Sequence, residues 1–433
     1  MRRRLALAFL LLVPGSAAAE VSVQEALLRA KPAVALVVAE VSAEVVVLCG
    51  GGPAKKISPA PFRETGTGWF LSPSGWMITN GHVVSPAQQP PKSVAEQQAR
   101  AAVREACGNL SPQAAAVAAT RARVKLEPSL YVILSNGIRL PATVAKYSPP
   151  VAGEGMSGRD LALLRIEAAD MPSLKLADSA GAKLGDKIHI LGFPGVVLSH
   201  ELLNASAKVE ASVTNGAISG FKQDVAGQAV IQTDAPAAWG NSGGPVVTSL
   251  GDVLGVLTFV TTQGGAEGGI VQGFNFVIPS AAVLEFLKTT GVPLDEKSKF
   301  NEAWHAGLHD FFAGGYARAL KHFAEANRLL PELPDVRRMT AEAENPPPKP
   351  FPWATVAVAV TIASLAAYGA MLALRWRRNR YRIRPSDVAR LLEGPDRPLI
   401  LDVRDTAAYE KSPVRIPNSK HVTPQELAAG AAQ

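Results

Sequence analysis

The chain is 433 residues long, 47% hydrophobic and 19% charged, with two cysteines and a formal net charge of +7. That charge does not make a nucleic-acid-binding surface: Arg2–Arg4 and the six arginines between Arg375 and Arg384 supply nine positive charges, leaving about −2 for everything else. The basicity borders two apolar runs, so it reports on membrane topology, and the second segment is also suited to anionic lipid headgroups.

In chain order, Met1-Arg2-Arg3-Arg4, the apolar stretch Leu5 to Val13 and the small residues Ser16 to Ala19 predict a signal peptide over 1–19, cleaved after Ala19. Ser22 to Ala30 predicts a short helix and the valine-rich Ala33 to Leu48 a strand, broken by Gly50-Gly51-Gly52-Pro53. Thr67 to Phe70, the turn Ser72-Pro73-Ser74-Gly75 and Trp76 to Thr79 read as strand, turn, strand. His82 then falls just past a strand end, a rigid mount for a base. Residues 93–124, rich in alanine, glutamine and arginine, predict a helical insertion. Tyr131 to Leu134, Asn136-Gly137 and Ile138 to Val144 return to a hairpin pattern, and a first barrel ends near Pro149-Pro150 and Asp160. Strands at Lys187–Leu191, Lys208–Thr214, Ala229–Gln232, Pro245–Val247, Val253–Phe259 and Gly273–Ile278 supply a second barrel. Cys49 and Cys107 either bridge the insertion to the first barrel or remain two buried thiols; sequence leaves both readings open.

Past residue 295 the pattern turns helical, and Gly307, Tyr316, Ala319, Phe323, Ala326 and Pro331 within 296–344 resemble one tetratricopeptide (TPR) repeat, with Asp310 where an aromatic is usual. A plain helical hairpin packed on the barrels fits as well. Residues 345–353 form a proline-rich linker, and 354–374 is an uncharged 21-mer long enough to span a bilayer. The basic segment 375–384 should hold its far end in the cytoplasm, which leaves the preceding part on the periplasmic or outer side. Residues 385–433 resemble the opening of a rhodanese-like α/β domain through Leu399-Ile400-Leu401-Asp402-Val403-Arg404, Tyr409 and Arg415-Ile416-Pro417-Asn418-Ser419. Sulfur transfer needs a cysteine, and none follows Cys107.

Three segments carry candidate chemistry: Thr79-Asn80-Gly81-His82-Val83-Val84, Gly158-Arg159-Asp160-Leu161-Ala162-Leu163-Leu164, and Gly240-Asn241-Ser242-Gly243-Gly244-Pro245. A serine hydroxyl needs an adjacent base to become a nucleophile, here His82, and a carboxylate on the other ring nitrogen, here Asp160, to fix the tautomer. The backbone N–H groups of Gly240 and Ser242 are the candidate oxyanion hole. The order His, Asp, Ser at near-equal intervals suits two successive barrels meeting at a cleft, hence an all-β, double six-stranded, chymotrypsin-like protease domain over 20–295. His305 and His309 lack the glutamate of a zinc-protease helix and read as surface histidines, while His189 and His200 read as structural. No metal cluster or phosphate loop is expected.

With Gly66-Thr67-Gly68, Leu191-Gly192-Phe193-Pro194, Ser212-Val213-Thr214, Gln232-Thr233-Asp234 and Phe276 to Pro279, these motifs resemble the HtrA/Deg family from about Val23 to Leu287. The resemblance implies endopeptidase action on misfolded or regulatory exported proteins, without cofactor and often as a homo-trimer. Two departures stand out: the helical segment occupies the place of the usual PDZ domain, and Ala237-Ala238-Trp239 replaces an Asn-Pro pair. The floor of the primary pocket is expected at Pro236, with Trp239 beside it, so small or aliphatic residues before the cut are favoured over lysine or arginine. The alternative is a latent protease-fold holdase or adaptor in which Trp239 keeps the oxyanion loop collapsed.

Overall fold

The structure, a computed structural model, describes residues 21–50, 52–108, 110–150, 158–262, 270–346, 348 and 351–430. The expected signal peptide lies outside the described residues. Contacts divide the chain into two units, residues 1–346 and 347–433.

The first unit opens with helix α1 (Val23–Ala30), capped by the Ser22 side chain, and strand β1 (Val34–Val47). Strands β2 (Lys55–Ile57), β3 (Phe62–Ser72) and β4 (Trp76–Thr79) precede helix α2 (Gly81–Gln88), which carries His82. Helices α3 (Lys92–Cys107) and α4 (Pro112–Arg121) form the insertion; β5 (Arg123–Ile133), β6 (Arg139–Ser148) and β7 (Leu161–Ile166) follow. Pairing runs β1-β3-β4-β7-β6-β5 and returns from β5 to β1, which closes a six-stranded barrel, with β2 added along the far end of β1.

The burial of β1 explains its composition. Residues 34–39 are buried continuously; beyond them Val41, Ala43, Val45 and Val47 alternate with more exposed neighbours. Ala43, Val45 and Val47 pack against Ala102, Val103 and Ala118 of the insertion, and a Cys49–Cys107 disulfide ties the two together. The expected extents needed correction at two places here. Strand β3 begins at Phe62 and β5 at Arg123, both earlier than their local patterns indicate, because β1 pairs with each of them down to that residue: Val41 with Phe62 and Val46 with Arg123.

The second barrel comprises β8 (Lys187–Gly192), β9 (Ser212–Gln223), β10 (Ala229–Thr233), β11 (Pro245–Thr248), β12 (Val253–Thr262) and β13 (Ile270–Pro279), closed in the order β10-β13-β12-β11-β8-β9. Short helices α5 (Gly195–Leu198) and α6 (Ala205–Lys208) occupy the β8–β9 connection. The strand expected at Lys208–Thr214 is therefore corrected: Asn204 caps α6 by accepting the Ala207 N–H, and β9 starts at Ser212. It then runs to Gln223 through Gly216 and Gly220, residues of poor strand propensity, because β8 and β10 pair with it on both sides. Helix α7 (Ser280–Leu287) closes the domain. Trp69, Leu71, Leu161, Phe193, Val256 and Ile278 form a core shared by the two barrels.

Helices α8 (Lys299–Phe312), α9 (Tyr316–Leu329) and α10 (Pro334–Glu344) follow. Gly307 lies where any Cβ would strike the Phe323 ring, so the glycine sets how closely α8 and α9 cross. The buried Trp304 donates to the Leu28 carbonyl, and Lys31 pairs with both Glu210 and Asp335. The helices therefore pack on the protein's own N-terminal segment. His309 is exposed as expected, but His305 is half-buried, a correction that follows from this packing.

In the second unit, helix α11 (Trp353–Asn379) is long and apolar enough to cross a membrane. Beyond it lie α12 (Pro385–Glu393), β14 (Leu401–Asp402), α13 (Thr406–Lys411), β15 (Lys420–His421) and α14 (Pro424–Gly430), with β14 and β15 parallel.

Candidate active site

His82 sits in the first turn of α2, directly after β4, and its neighbour Val83 is fully buried as the anchor of that turn. The His82 backbone N–H donates to Asp160 Oδ1 and its ring Nδ1 to Asp160 Oδ2, each at 2.8 Å. Donation from Nδ1 leaves Nε2 as the free, basic nitrogen. Thr258 adds a third hydrogen bond, Oγ1 to Asp160 Oδ2 at 2.7 Å. Asp160 is 8% exposed, so these donors replace the water that a buried carboxylate loses.

Asp160 has φ +50°, an uncommon backbone conformation that aspartate tolerates better than most residues. It is held there from both sides: its N–H donates to the Pro149 carbonyl at 2.9 Å, and its carbonyl accepts from Asn80 Nδ2 at 2.8 Å. Burial pulls the His82 imidazole down, but the hydrogen bond and charge of Asp160, joined by the charge of Glu64, outweigh it and hold the ring above the ordinary histidine value.

Ser242 lies in the turn between β10 and β11. Gly240 has φ +95° and Gly243 φ +86°; a Cβ at Gly240 would stand 2.3 Å from the Phe193 carbonyl oxygen, and one at Gly243 2.2 Å from that of Thr67. Only glycine fits either place. Thr67 clamps the turn: its Oγ1 donates to the Gly240 carbonyl at 2.7 Å and accepts the Phe193 N–H at 3.0 Å, while its own N–H donates to the Ser242 carbonyl at 2.8 Å. The Trp239 carbonyl accepts from the Gly195 N–H at 2.6 Å. In a planar trans peptide the Gly240 N–H then points the opposite way, away from Gly195. Among the described residues neither the Gly240 nor the Ser242 N–H has a protein acceptor. The Ser242 hydroxyl donates to the Thr258 carbonyl at 3.3 Å rather than to His82.

His82, Asp160, Thr258, Trp239 and Ser242 line one cavity of about 590 Å³, walled further by Val230, Phe276 and Ile278. Trp239, 55% exposed, forms part of the wall. Pro236 is a correction: it is exposed and outside the cavity wall, and its carbonyl accepts the Thr214 hydroxyl at 2.7 Å. Sequence spacing counts residues back from the serine but does not follow how the chain turns between β10 and Ala237. His189 is buried in the second barrel against Asn215, and His200 is exposed, so neither joins the site. Among the described residues no cluster of His, Cys, Asp or Glu could hold a metal ion. The supporting residues Asn80, Thr67 and Thr258 were not singled out from sequence. For Thr67 the Gly66-Thr67-Gly68 motif was the available signal; Thr258, deep in a strand, offered none.

Two closed barrels presenting an aspartate-supported histidine and a serine in a glycine turn define a trypsin-fold serine protease domain. Residues 66–256 match the trypsin-like peptidase domain family. A "Probable periplasmic serine endoprotease DegP-like" of Chlamydia pneumoniae is 28% identical over 235 residues, covering 53% of this chain and 35% of its own. The protein of the same description from Hahella chejuensis is 26% identical over 247 residues, 56% of this chain and 39% of its own. A solved structure, "HtrA-type protease AlgW with tripeptide", is 22% identical, with a TM-score of 0.39 over 62% of this chain and 63% of that one. The double barrel of this chain is thus an HtrA-like, trypsin-fold serine protease domain. The chain spans about a third of the length of the curated relatives it matches.

Proposed function

We propose that this chain is a membrane-tethered serine endopeptidase acting on misfolded or regulatory exported proteins, with His82, Asp160 and Ser242 as its catalytic residues. The observation that carries the reading is the His82–Asp160 pair, bonded at ring and backbone, opening onto the same cavity as Ser242. When substrate enters, the Ser242 hydroxyl exchanges its long bond to Thr258 for one to His82 Nε2 across the cavity that both line. Its oxygen then bonds the substrate carbonyl carbon as its proton passes to Nε2, and the displaced electron pair rests on the carbonyl oxygen. The N–H groups of Gly240 and Ser242 receive that oxyanion. Collapse breaks the C–N bond, His82 returns the proton to the leaving amine, and water repeats the sequence on the acyl-enzyme.

The apolar side chains of Val230, Phe276 and Ile278 along the cavity favour small or aliphatic residues before the cut. The arginine-rich end of α11 favours a periplasmic protease domain and a cytoplasmic tail. The close α8–α9 crossing at Gly307 supports a TPR-like reading of 296–344, the parallel β14–β15 pair supports a rhodanese-like tail, and family resemblance supports a homo-trimer.

The test is fluorophosphonate labelling of the detergent-solubilised full chain beside its Ser242→Ala variant, with β-casein digestion in parallel. Labelling and digestion are expected in the wild type only, the variant losing roughly 10⁶-fold in turnover. A folded wild type that neither labels nor digests overturns the reading and leaves a non-enzymatic holdase.

A further inference from the structure

The cavity that holds His82 and Ser242 also holds a cation without a role in the reaction above. Arg159 directly precedes Asp160 and lines that space of about 590 Å³ together with His82, Ser242 and Thr258. It also lines an adjoining cavity of about 530 Å³. The two spaces share Arg159, Gln228, Ala229, Val230 and Ala282, so Arg159 stands where one passes into the other. A groove thus leads from the serine past this arginine.

The backbone that carries Arg159 is fixed. Its N–H donates to Ser148 Oγ at 2.7 Å, and the preceding Gly158 carbonyl accepts from Gln228 Nε2 at 2.9 Å. The following residue, Asp160, is pinned through its N–H to Pro149 and through its carbonyl to Asn80. Gln228 belongs to the β9–β10 connection, so its bond to Gly158 ties the two barrels together beside the cavity. The Arg159 side chain has no such anchor: it is half-buried, and among the described residues its guanidinium makes no hydrogen bond or ion pair. The carboxylates of the two cavities are committed elsewhere. Asp160 serves His82 and Thr258, and Asp224 accepts the N–H groups of Ala226 and Gln228. Glu285 pairs with Lys288, whose hydrogen bond and charge hold its carboxyl below the ordinary range, Arg159 adding to the effect by charge alone.

Resting on the protease reading, we propose that Arg159 is a specificity-determining residue that selects aspartate or glutamate among the substrate residues preceding the one at the cut. The apolar wall of Val230, Phe276 and Ile278 takes the residue at the cut, and the chain before it continues through the same cavity toward Arg159. A guanidinium already stripped of part of its water loses little more when a carboxylate arrives, and its planar fork can donate to both carboxylate oxygens at once. In a partly enclosed space such a pair is worth more than at an open surface, where both ions stay hydrated. The substrate is then a segment with one carboxylate a few residues before a small or aliphatic residue.

The experiment uses the full chain in detergent and pairs of quenched fluorescent peptides that share one aliphatic residue at the cut. The members of a pair differ only in glutamate versus glutamine at the second, third or fourth position before the scissile bond, or at the first or second after it. In the wild type the glutamate peptide is expected to be cleaved with roughly ten-fold higher kcat/KM at one position before the bond, the ratio narrowing as salt is raised. Arg159→Gln should bring that ratio to about one, Arg159→Lys should retain part of it, and Arg159→Glu should transfer the preference to a lysine peptide. Any general effect of a substitution on folding or on Asp160 acts equally on both peptides and cancels in the ratio. A wild-type ratio near one, a preference confined to positions after the bond, or a ratio that survives in Arg159→Gln overturns the inference while the protease reading stands. Failure of the wild type to take the fluorophosphonate label overturns the protease reading and this inference with it.

Discussion

At the residue scale the site is a set of short bonds converging on Asp160. Both its carboxylate oxygens, its N–H and its carbonyl are engaged, by His82, Thr258, Pro149 and Asn80. Asp160→Asn keeps the shape but reverses one hydrogen bond, so His82 would be held in the wrong tautomer; kcat should fall about 10⁴-fold with folding intact. The same network sets the pH dependence. His82 must be neutral to act as base, and the groups facing it are Asp160 from the β6–β7 connection and Glu64 from β3, both favouring the charged ring. The acidic limb of kcat/KM is therefore expected above the usual 6.5, activity being lost as pH falls through it, and Asp160→Asn should move the limb of its residual activity downward. A limb below 6.5 in the wild type would contradict the charge balance drawn here. Of these residues His82, Asp160 and Ser242 were legible in sequence, since each sits in a short motif with local turn or strand context. Asn80, Thr67 and Thr258 act through bonds to partners 80, 173 and 98 positions away, which no local pattern encodes.

At the element scale the three-helix segment is joined to the barrels by groups that respond to pH. His305 on α8 is half-buried facing Arg29 of α1 and Lys175; burial, reinforced by these two cations, lowers its pKa to about 4. In the unfolded chain it would titrate near 6.5, so as pH falls from there to about 4 the unfolded state takes up a proton that the folded state refuses. Stability present above pH 6.5 is then lost on acidification, by up to about 3 kcal/mol in total. Urea unfolding of the full chain at pH 7.0 and about 4.5 should show this fall, and His305→Gln should remove most of it relative to wild type. Equal pH dependence in the two proteins would show that His305 is not held away from water. The helical character of 299–344 was plain from composition, whereas the half-burial of His305 was not, because it depends on α1 and α8 meeting across some 275 residues. The same distinction explains β9: glycines at 216 and 220 argue against a long strand locally, and pairing on both edges overrides them.

At the scale of the whole molecule, α11 and its arginine-rich end make a topology test. Intact spheroplasts treated with an external protease should lose the part before Trp353 while a fragment containing 380–430 is retained and released only by detergent. Recovery of the full chain from the soluble fraction, or digestion of the tail first, would overturn the single-span arrangement. What the amino-acid order determined by itself is everything governed by neighbours along the chain: the apolar 21-mer, the existence though not the ends of most strands, and the glycines at 240 and 243 that alone tolerate positive φ in the Ser242 turn. What only the tertiary structure decided is which distant segments meet. It joined Cys49 to Cys107, left Pro236 outside the cavity, turned the Trp239 carbonyl toward Gly195 and set the Thr258 hydroxyl on the Asp160 carboxylate. The physical reason is that strand register and loop closure are set by burial summed over two whole barrels, and the positions of side chains at their rims follow from that sum.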